Sequence, residues 1–534
     1  MPSTGAVTGR GSSPALLRPV RRRASWVPWA VAAAIAVGAA IRFATLGMQS
    51  YHHDEAWTAG VVLHSSVFTT LDKVTGTEST PPVYYLLAWG WSKLFGTGEW
   101  GLRSLSALFG IATIPVAFAI GRRLAGAGAG AAAAALGAVN PALIWYSQEA
   151  RAYALLILLS SLAFLFFLRA RDGFGARDLA WWAVLSVLAA ATHYFGLMPA
   201  AVEAALLVAA AGRRRRQALI AAGGVAVGAL ALAPLAVHQA NAGHADWIGR
   251  LGMVTRLKET AVTMASGETG RFISQPLHGR YAVIPLLLAG AALALLLIRG
   301  SRSELRATGL ALAVAAGSLL LALLAAAAGK DYVLARNLLP ALLPVLGAVA
   351  AGIACRGSGR LGLGLGAVLV AYWLAFAVYV DLRPRLQRPD WRDLAADIGA
   401  ARVPREIVTS GQGTVPLRYY LPGRTIELHS PHPPIPVREV DVVSVGLPPP
   451  RAGTGLPPGF RDAGRRSDET VTVTRYVAPR AIAVPWQMLL SHYTGFISRD
   501  VLAQAVAGIS SARQSDRPRE LTRNGKRQHR KQGD

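Results

Sequence analysis

Eleven apolar runs, separated by short connections rich in arginine, constrain what this chain of 534 residues can fold into. An α-helix needs about 20 apolar residues to cross the hydrocarbon core of a bilayer, and these runs approach or reach that length. They lie near residues 27–46, 101–121, 125–144, 150–168, 179–195, 197–212, 218–238, 281–299, 306–328, 338–355 and 361–381. We therefore predict an all-α polytopic membrane bundle of about eleven transmembrane helices.

The composition supports a membrane protein and excludes two other classes. Hydrophobic residues make up 53% of the chain and charged residues only 16%. The net charge of +26 would suggest nucleic-acid binding in a soluble protein, but here the arginines cluster between apolar runs, where they determine topology. We expect no nucleic-acid partner. The single cysteine, Cys355, excludes an intramolecular disulfide and a multi-cysteine metal site.

A twelfth apolar segment, 82–95, is shorter and contains Trp89, Trp91 and Lys93, which favours a juxtamembrane helix lying flat on the membrane. The basic N-terminus and the positive-inside rule test this choice. If 82–95 lies flat outside, every arginine-rich connection becomes cytoplasmic: 121–123, 169–177, 213–216, 299–306 and 356–360. The chain from about residue 383 onward is then extracytoplasmic.

The composition changes after residue 383 to a sequence rich in proline and arginine. Strand-like runs at 406–409 and 440–445 and a short helix at 390–399 predict a small extracytoplasmic α/β domain. The predicted organisation has four parts. These are a basic cytoplasmic N-terminus (1–25), a transmembrane domain (26–382), the α/β domain (383–480) and a basic tail predicted to be disordered (481–534).

The predicted outer face collects most of the unusual polar residues. Asp54 and Glu55 form an acidic pair just past the first apolar run, and such a pair at a membrane surface is costly unless it has a function. Two further polar-aromatic clusters, at 80–85 and 146–153, border apolar runs on the same predicted side. The three clusters together would form one site.

These motifs resemble those of the C-type glycosyltransferase superfamily. The similarity rests on the Asp54-Glu55 pair, the Pro-Pro-Val-Tyr-Tyr segment at 81–85, a Gly-x-x-Glu-Trp-Gly-x-Arg stretch at 96–103 and the Tyr-Ser-Gln-Glu-Ala-Arg-Ala-Tyr run at 146–153. Within the superfamily, the chain resembles bacterial members of the branch of protein-O-mannosyltransferases and lipid A aminoarabinose transferases. The resemblance covers roughly residues 25–380 and is strongest at 50–155.

The resemblance implies a fold and an activity. It implies two juxtamembrane helices between the first two spans, which agrees with the parity argument. It also implies a glycosyltransferase of the plasma (inner) membrane, which moves a sugar from a polyprenyl-phosphate carrier to an acceptor on the outer side with inversion. The acceptor is a glycan, a lipid or a protein, and mannose, arabinose and aminoarabinose donors all remain open.

The resemblance also assigns candidate catalytic residues. Asp54 matches the catalytic acidic position and would accept the proton of the acceptor hydroxyl, with Glu55 as a second catalytic candidate. The structural alternative is that Asp54 caps the helix that begins at this point. Glu149 would orient the acceptor or a metal ion in the groove, and Arg151 would face the donor phosphate. An ion pair at a helix end is the alternative for both.

Arg336 resembles the arginine of the family's Arg-Tyr-Leu-x-Pro segment and is expected to bind the donor phosphate, although Asn337 replaces the tyrosine. A snorkelling side chain is the alternative. Tyr84 and Tyr85 are further candidates for the phosphate end. His193 and Tyr194 are candidates for the lining of the groove, although interfacial aromatics are common without any function.

The requirement for a cofactor stays open. Imidazole and carboxylate both bind divalent ions, so His52, His53 and Asp54 raise a metal hypothesis, in which His53 and Asp54 are the weak candidates. Neighbouring loop histidines are more often ordinary surface residues. The loop 239–280, with His244, Asp246, Trp247 and Arg250, is placed to bind an acceptor.

Two other functions were weighed against the transferase. A flippase or other transporter of lipid-linked sugars would also need many spans, but its polar residues should lie near mid-membrane, often in matching halves. Here the charges gather at one predicted face. A catalytically inactive membrane scaffold would keep the same fold, and only an activity assay separates it from the enzyme.

Overall fold

The computed structural model describes residues 26–243, 247–269, 279–423, 425–428, 433–445, 456–467, 470–485, 488 and 499–504. The chain is a multi-pass membrane protein: a bundle of apolar helices is followed by a small α/β domain. The predicted N-terminal segment 1–25 and the end of the predicted tail, 505–534, lie outside the described residues. His244 and Asp246 of the predicted acceptor loop also lie outside them.

Fifteen described helices precede the α/β domain. They are α1 Val27–Ala44, α2 His53–Trp57, α3 Val67–Thr77, α4 Val83–Phe95, α5 Glu99–Val139, α6 Pro141–Ser147, α7 Tyr153–Ala170, α8 Ala176–Thr192, α9 Leu197–Ala210, α10 Arg215–Asn241, α11 Met253–Ser266, α12 Val283–Arg299, α13 Arg302–Ala327, α14 Leu342–Ala354 and α15 Gly359–Asp381.

All eleven predicted apolar runs are helical. The second and third runs lie mainly in α5, whose two halves turn back on each other at Ala125–Gly126. The tenth run begins with a 3-10 segment, Ala335–Ala341, that leads into α14. Seven helical segments of the described chain are long and apolar enough to cross a membrane, and two shorter apolar helices, Tyr194–Ala210 and Val283–Arg299, accompany them. The helical bundle is confirmed, and the count of eleven crossings stays a prediction.

The predicted connection at 121–123 lies just before the point where α5 reverses direction. A Cβ added at Gly121 would meet the Ala129 carbonyl, and one added at Gly137 would meet Ala117, so the two halves of α5 pack against each other. The backbone leaves helical geometry at Ala125 and at Gly126, where φ is +87°, a value that glycine adopts without steric penalty. Arg122 and Arg123 lie exposed just before this reversal, and Arg123 pairs with Asp172 in the connection after α7. Two connections that we predicted on the cytoplasmic side therefore contact each other.

The segment between the first two apolar runs contains short helices, as the resemblance implied. α2 continues through one π-helical turn, Thr58–Val62, and α3 and α4 follow. One face of α4 is buried through Tyr84, Tyr85 and Ala88, while Leu86 and Leu87 are exposed. This amphipathic character suits a helix at a membrane surface, and its flat orientation stays a prediction.

A buried arginine joins the first helix to the rest of the bundle. The Arg42 guanidinium donates to the carbonyl of Ala138 (2.8 Å), the carbonyl of Gly137 (3.2 Å) and the hydroxyl of Ser147 (3.1 Å). Gly38 lies one turn earlier on α1, where an added Cβ would meet Ile114, so α1 approaches α5 closely. This packing fixes the end of α1 and hence the start of the loop that carries Asp54.

In its described residues, the C-terminal domain contains a six-stranded mixed sheet and the helices α16 Trp391–Ile398 and α17 Gly411–Tyr420. Its strands are β1 Arg405–Ser410, β2 Thr425–Leu428, β3 Ile435–Val445, β4 Arg461–Ser467, β5 Val471–Val484 and β6 Arg499–Gln504, in the order β2-β6-β1-β3-β5-β4. β1 and β3 pair in parallel and the other neighbours are antiparallel. The predicted α/β character, the short helix and both predicted strands are confirmed.

The predicted boundary of this domain at residue 480 is wrong. β5 continues to Val484, and β6 inserts between β1 and β2 with Val501 and Leu502 fully buried. Arg499 and Asp500 open β6 and interrupt the apolar pattern, so the sequence did not indicate a strand within the predicted tail. The folded domain therefore extends at least to Gln504, within the segment predicted as tail.

The C-terminal domain rests on the loop that follows α1. The Ser50 hydroxyl donates to the carbonyl of Pro389 (3.1 Å) and accepts from the backbone N–H of Trp391 (2.9 Å). The backbone N–H of Tyr51 donates to the Tyr420 hydroxyl (2.7 Å). The domain thus contacts the chain within four residues of Asp54.

Candidate active site

A small pocket lies where the loop after α1, the turn after α6 and the segment leading into the C-terminal domain meet. Polar and charged side chains dominate its lining, which consists of His52, Asp54, Trp145, Tyr146, Glu149, Glu268, Arg336 and Arg388. The structure therefore brings together Asp54, Glu149 and Arg336, three of the residues predicted from sequence.

Asp54 and Arg336 form a partly accessible ion pair in this pocket. Asp54 Oδ2 lies 3.2 Å from Nη1 of Arg336, and the two side chains remain 29% and 30% exposed. The Arg336 guanidinium also lies over the ring of Trp247, 5.9 Å from its centre. Burial alone would raise the pKa of the Asp54 carboxyl, but the positive charges of Arg151 and Arg336 hold it well below its usual range. Asp54 is thus ionised and available to a ligand.

Glu55 points away from the pocket into the protein. Its carboxylate accepts two hydrogen bonds from Arg103, both of 2.7 Å, and the two side chains are 0% and 1% exposed. The backbone N–H groups of Ala150 (2.9 Å) and His52 (3.1 Å) also donate to it. All these contacts position the loop that carries Asp54. The geometry therefore contradicts a catalytic role for Glu55 and favours a positioning one.

Arg151 has a different partner from the one expected. It donates two 2.9 Å hydrogen bonds to the carboxylate of Glu78, which is 4% exposed, and a 3.0 Å bond to the Thr58 hydroxyl. It also lies over the ring of Tyr85, 5.7 Å from its centre. The positive charge of Arg151 still acts on Asp54, while its Nη1 and Nη2 atoms donate to Glu78 and Thr58. Arg151 lies outside the pocket lining and does not face the predicted phosphate site.

Tyr84 and Tyr85 are fully buried between α4 and its neighbours. The Tyr85 hydroxyl lies 3.2 Å from that of Thr80. Neither tyrosine lines the pocket, so the structure does not bring them to the predicted phosphate end. Their burial explains instead how α4 is anchored.

Glu149 lines the pocket and pairs with an arginine of the C-terminal region. Its Oε2 accepts from Arg388 at 3.3 Å, and Arg388 also donates to the carbonyl of Gln148 (3.3 Å). The Arg388 guanidinium stacks over Trp145, 4.2 Å from the ring centre. Burial raises the pKa of Glu149 to about 7, and the opposing effect of Arg388 is smaller. Glu149 is therefore the pocket carboxylate that is ready to take a proton near neutral pH.

His193 and Tyr194 lie close to the pocket but do not line it. His193 is buried against Tyr153 and Phe195, with ring centres 5.8 and 5.3 Å away. The Tyr194 hydroxyl donates to Gln239 (2.7 Å), whose amide in turn donates to the carbonyl of Val74 (2.9 Å). Both residues make structural contacts, and their predicted place in the groove lining is not observed.

The residues that the structure describes contain no group of three or more His, Cys, Asp or Glu side chains arranged to hold a metal ion. Nε2 of His52 lies 2.8 Å from Oε1 of Gln412 in the C-terminal domain, and burial lowers the pKa of His52 to about 4. The His53 ring stacks on Trp57, with 6.5 Å between the ring centres. These contacts supply no third ligand to the weak metal candidates His53 and Asp54.

Four important residues were missed or undervalued in the sequence. Glu78 immediately precedes the 80–85 segment, and Arg103 ends the Gly-x-x-Glu-Trp-Gly-x-Arg motif, so both had a motif as signal. Glu268 lies in the predicted acceptor loop and accepts from the Tyr146 hydroxyl at 2.8 Å. Arg388 is one of several arginines after the last apolar run, and nothing in the sequence distinguished it as the one that reaches the pocket.

Comparison with known proteins agrees with this architecture. Residues 79–238 match the family model described as dolichyl-phosphate-mannose-protein mannosyltransferase. ArnT from Cupriavidus metallidurans, in the structure bound to undecaprenyl phosphate, is 15% identical with a TM-score of 0.52, and the match covers 84% of this chain and 98% of ArnT. The chain has the C-type glycosyltransferase fold.

The apo structure of the same ArnT matches this C-type glycosyltransferase fold at 16% identity and a TM-score of 0.51, covering 84% of this chain and 97% of ArnT. AglB, an archaeal oligosaccharyltransferase from Archaeoglobus fulgidus solved with an inhibitory peptide and a dolichol-phosphate, is more distant. It has 13% identity and a TM-score of 0.42, over 70% of this chain and 57% of AglB. No significant match was found among curated proteins. The predicted resemblance is confirmed for the fold.

Proposed function

We propose that this protein is a membrane glycosyltransferase that moves a sugar from a polyprenyl-phosphate carrier to an acceptor on the outer face of the membrane. The observation that carries the proposal is the accessible Asp54–Arg336 pair in a pocket of otherwise charged and aromatic side chains. The family match at residues 79–238 and the undecaprenyl phosphate bound to ArnT support this donor class.

Arg336 is suited to hold the donor phosphate. A guanidinium binds phosphate oxygens through charge-assisted hydrogen bonds, and this one is 30% exposed to the pocket. A phosphodiester that binds Arg336 competes with Asp54 for the same donors. Donor binding therefore releases the Asp54 carboxylate toward the acceptor.

Release from Arg336 also makes Asp54 a stronger base. While the pair is intact, the charge of Arg336 helps to keep the pKa of Asp54 low, and such a carboxylate removes protons poorly. A bound phosphate offsets that charge, so the pKa of Asp54 rises when the donor is in place. The base becomes effective only when the donor is bound.

The reaction is then a single displacement at the anomeric carbon. The acceptor oxygen attacks from the face opposite the phosphate, and its proton passes to Asp54. The bond between the anomeric carbon and the phosphate oxygen breaks, and its electron pair leaves with the polyprenyl phosphate. The configuration at the anomeric carbon inverts, and Arg336 stabilises the charge that develops on the leaving phosphate.

The test is release of the lipid phosphate from a defined donor. Purified protein in nanodiscs is incubated with polyprenyl-phosphate-linked mannose, arabinose and aminoarabinose, each with an extract of envelope glycans, lipids and proteins as acceptor. We expect release of polyprenyl phosphate from one donor class and transfer of label to the acceptor fraction. If no donor is consumed while a donor crosses the bilayer of proteoliposomes, the transporter alternative replaces the enzyme.

A further inference from the structure

Arg388 belongs to the C-terminal region and yet forms part of the pocket wall. It follows the last bundle helix, α15, and its backbone N–H donates to Oε1 of Gln49 (3.3 Å) in the loop after α1. Its guanidinium lies between Glu149 and the ring of Trp145 and is almost fully buried. The described pocket is therefore incomplete without the segment that leads into the C-terminal domain.

The contacts of Arg388 differ from those of the structural arginines. Arg103 and Arg151 hold their carboxylates through paired bonds of 2.7 to 2.9 Å, whereas Arg388 reaches Glu149 through one contact of 3.3 Å. Among the described residues, Oε1 of Glu149 has no hydrogen-bond partner. This pair is loose, and it leaves one acceptor and several donors for a ligand.

The geometry of the reaction shows which ligand group these donors and acceptors would meet. The argument rests on the proposed function, in which Arg336 holds the phosphate and Asp54 faces the attacking hydroxyl. The transferred sugar lies between those two groups. Its remaining ring hydroxyls must then face the rest of the pocket, which consists of His52, Trp145, Tyr146, Glu149, Glu268 and Arg388.

We propose that Arg388 and Glu149 bind neighbouring ring hydroxyls of the transferred sugar, so that the C-terminal region contributes to sugar specificity. The carboxylate accepts a hydrogen bond from one hydroxyl, and the guanidinium donates to the oxygen of the next. Trp145 holds the guanidinium in place by stacking on it. The ligand class is a polyhydroxylated sugar attached to the carrier phosphate.

The experiment compares donors that differ by one hydroxyl. The donor that the parent protein uses best is prepared with each ring hydroxyl removed in turn, and kcat/KM is measured for the parent, Arg388→Gln and Glu149→Ala. A site that binds a hydroxyl through charged groups should reject the corresponding deoxy donor by a factor of about 10 to 100. In Arg388→Gln, the ratio of kcat/KM for the full donor to kcat/KM for one deoxy donor should fall to near one. The corresponding ratios for the other deoxy donors should stay as they are in the parent.

Arg392 provides the matched control. It lies one turn further on, at the same docking interface, where it donates to the carbonyl of Met48 (2.9 Å) and pairs with Glu99 (3.2 Å). It does not line the pocket. Arg392→Gln should therefore change kcat/KM by the same factor for every donor and leave the preferences unaltered.

The outcomes separate the two proposals. If Arg388→Gln keeps the parent's preference for every hydroxyl, Arg388 is a docking residue only and the inference fails while the proposed function stands. If the parent releases no polyprenyl phosphate from any donor, the proposed function itself fails. Arg388→Lys, which keeps the charge but not the planar fork, gives the same measurement where Arg388→Gln does not fold.

Discussion

Replacing Asp54 by Asn separates chemistry from folding at the pocket. Asn has nearly the same size, and α2 is capped by His52 and Glu55 and not by Asp54, so α2 should start where it does in the parent. The lost partner is an arginine that is 30% exposed, and pairs of this exposure contribute about 0 to 1 kcal/mol to stability. Asp54→Asn should therefore fold and insert like the parent.

The effect on the rate should be much larger than the effect on stability. Loss of a general base costs a factor of about 10² to 10⁴ in rate. At 1.36 kcal/mol per factor of ten, this corresponds to about 3 to 5 kcal/mol in the activation barrier. Because the stability change stays near or below 1 kcal/mol, the two effects are easily distinguished.

The structure adds a second measurable consequence. Arg336 loses its carboxylate partner in Asp54→Asn, so the competition between Asp54 and the lipid phosphate disappears. Polyprenyl phosphate should bind this variant as tightly as it binds the parent, or more tightly. A variant that is slow only because its pocket has collapsed would instead bind the lipid phosphate more weakly.

The assay measures sugar transfer per folded molecule in nanodiscs, with the folded fraction taken from size-exclusion chromatography. Binding of polyprenyl phosphate is measured on the same preparations. If Asp54→Asn retains more than about a tenth of the parent rate, Asp54 is not the base. A slow variant with weakened lipid binding would equally refute the reasoning.

Four further predictions follow from the other charged groups and from the topology. Glu55→Gln should reduce the yield of monodisperse protein, because it leaves the buried Arg103 guanidinium without its carboxylate at a cost of about 3 to 5 kcal/mol. A variant as stable as the parent would contradict the positioning role. Arg336→Ala should raise the Kd for polyprenyl phosphate by the equivalent of about 2 to 3 kcal/mol in titrations, whereas an unchanged Kd would indicate a snorkelling residue. Burial raises the pKa of Glu149 to about 7, so the folded state binds the proton of this carboxyl more tightly than the unfolded state does. The resulting stabilisation is complete below about pH 4.5 and is lost as the pH rises to 7. Glu149→Gln should therefore make the thermal unfolding temperature less dependent on pH between these two values. Ser79→Cys and Thr97→Cys should both react with an impermeant thiol reagent in intact cells. The parent, with its one buried cysteine, is the control. Labelling of only one of the two variants would mean that α4 crosses the membrane.

Much of the fold could be predicted because it depends on local patterns. Every apolar run identified in the sequence is helical in the structure. The helix at 390–399 could be predicted because Asp390 caps its start and Gly399 ends it. Gly399 adopts φ of +67°, as a helix-terminating glycine does. The strand at 499–504 was not predicted, because its place in the sheet depends on pairing with β1 and β2. These strands precede it by at least 89 and at least 71 positions in the sequence, respectively.

The roles within the site were harder to predict because they depend on distant partners. Glu55 and Asp54 are neighbours in sequence, and nothing local distinguishes them. Arg103, 48 positions away, takes Glu55 into the interior. Glu78, 73 positions from Arg151, likewise occupies the guanidinium that was expected to face phosphate. Sequence motifs indicated that these charges matter, but not which of them face the pocket.

Exposure and bond geometry now separate the charges that build the site from those that are free to react. Two ion pairs, Glu55–Arg103 and Glu78–Arg151, are buried and doubly bonded, and breaking either would leave an uncompensated interior charge. The Asp54–Arg336 pair has a single contact and stays about one-third exposed, so a phosphate can replace the carboxylate at little cost. In the proposed mechanism, the rigid pairs hold the loop in place so that the weak pair can open when the donor binds. The proposed catalytic carboxylate differs from its neighbour in the looseness of its ion pair, which only the three-dimensional structure records.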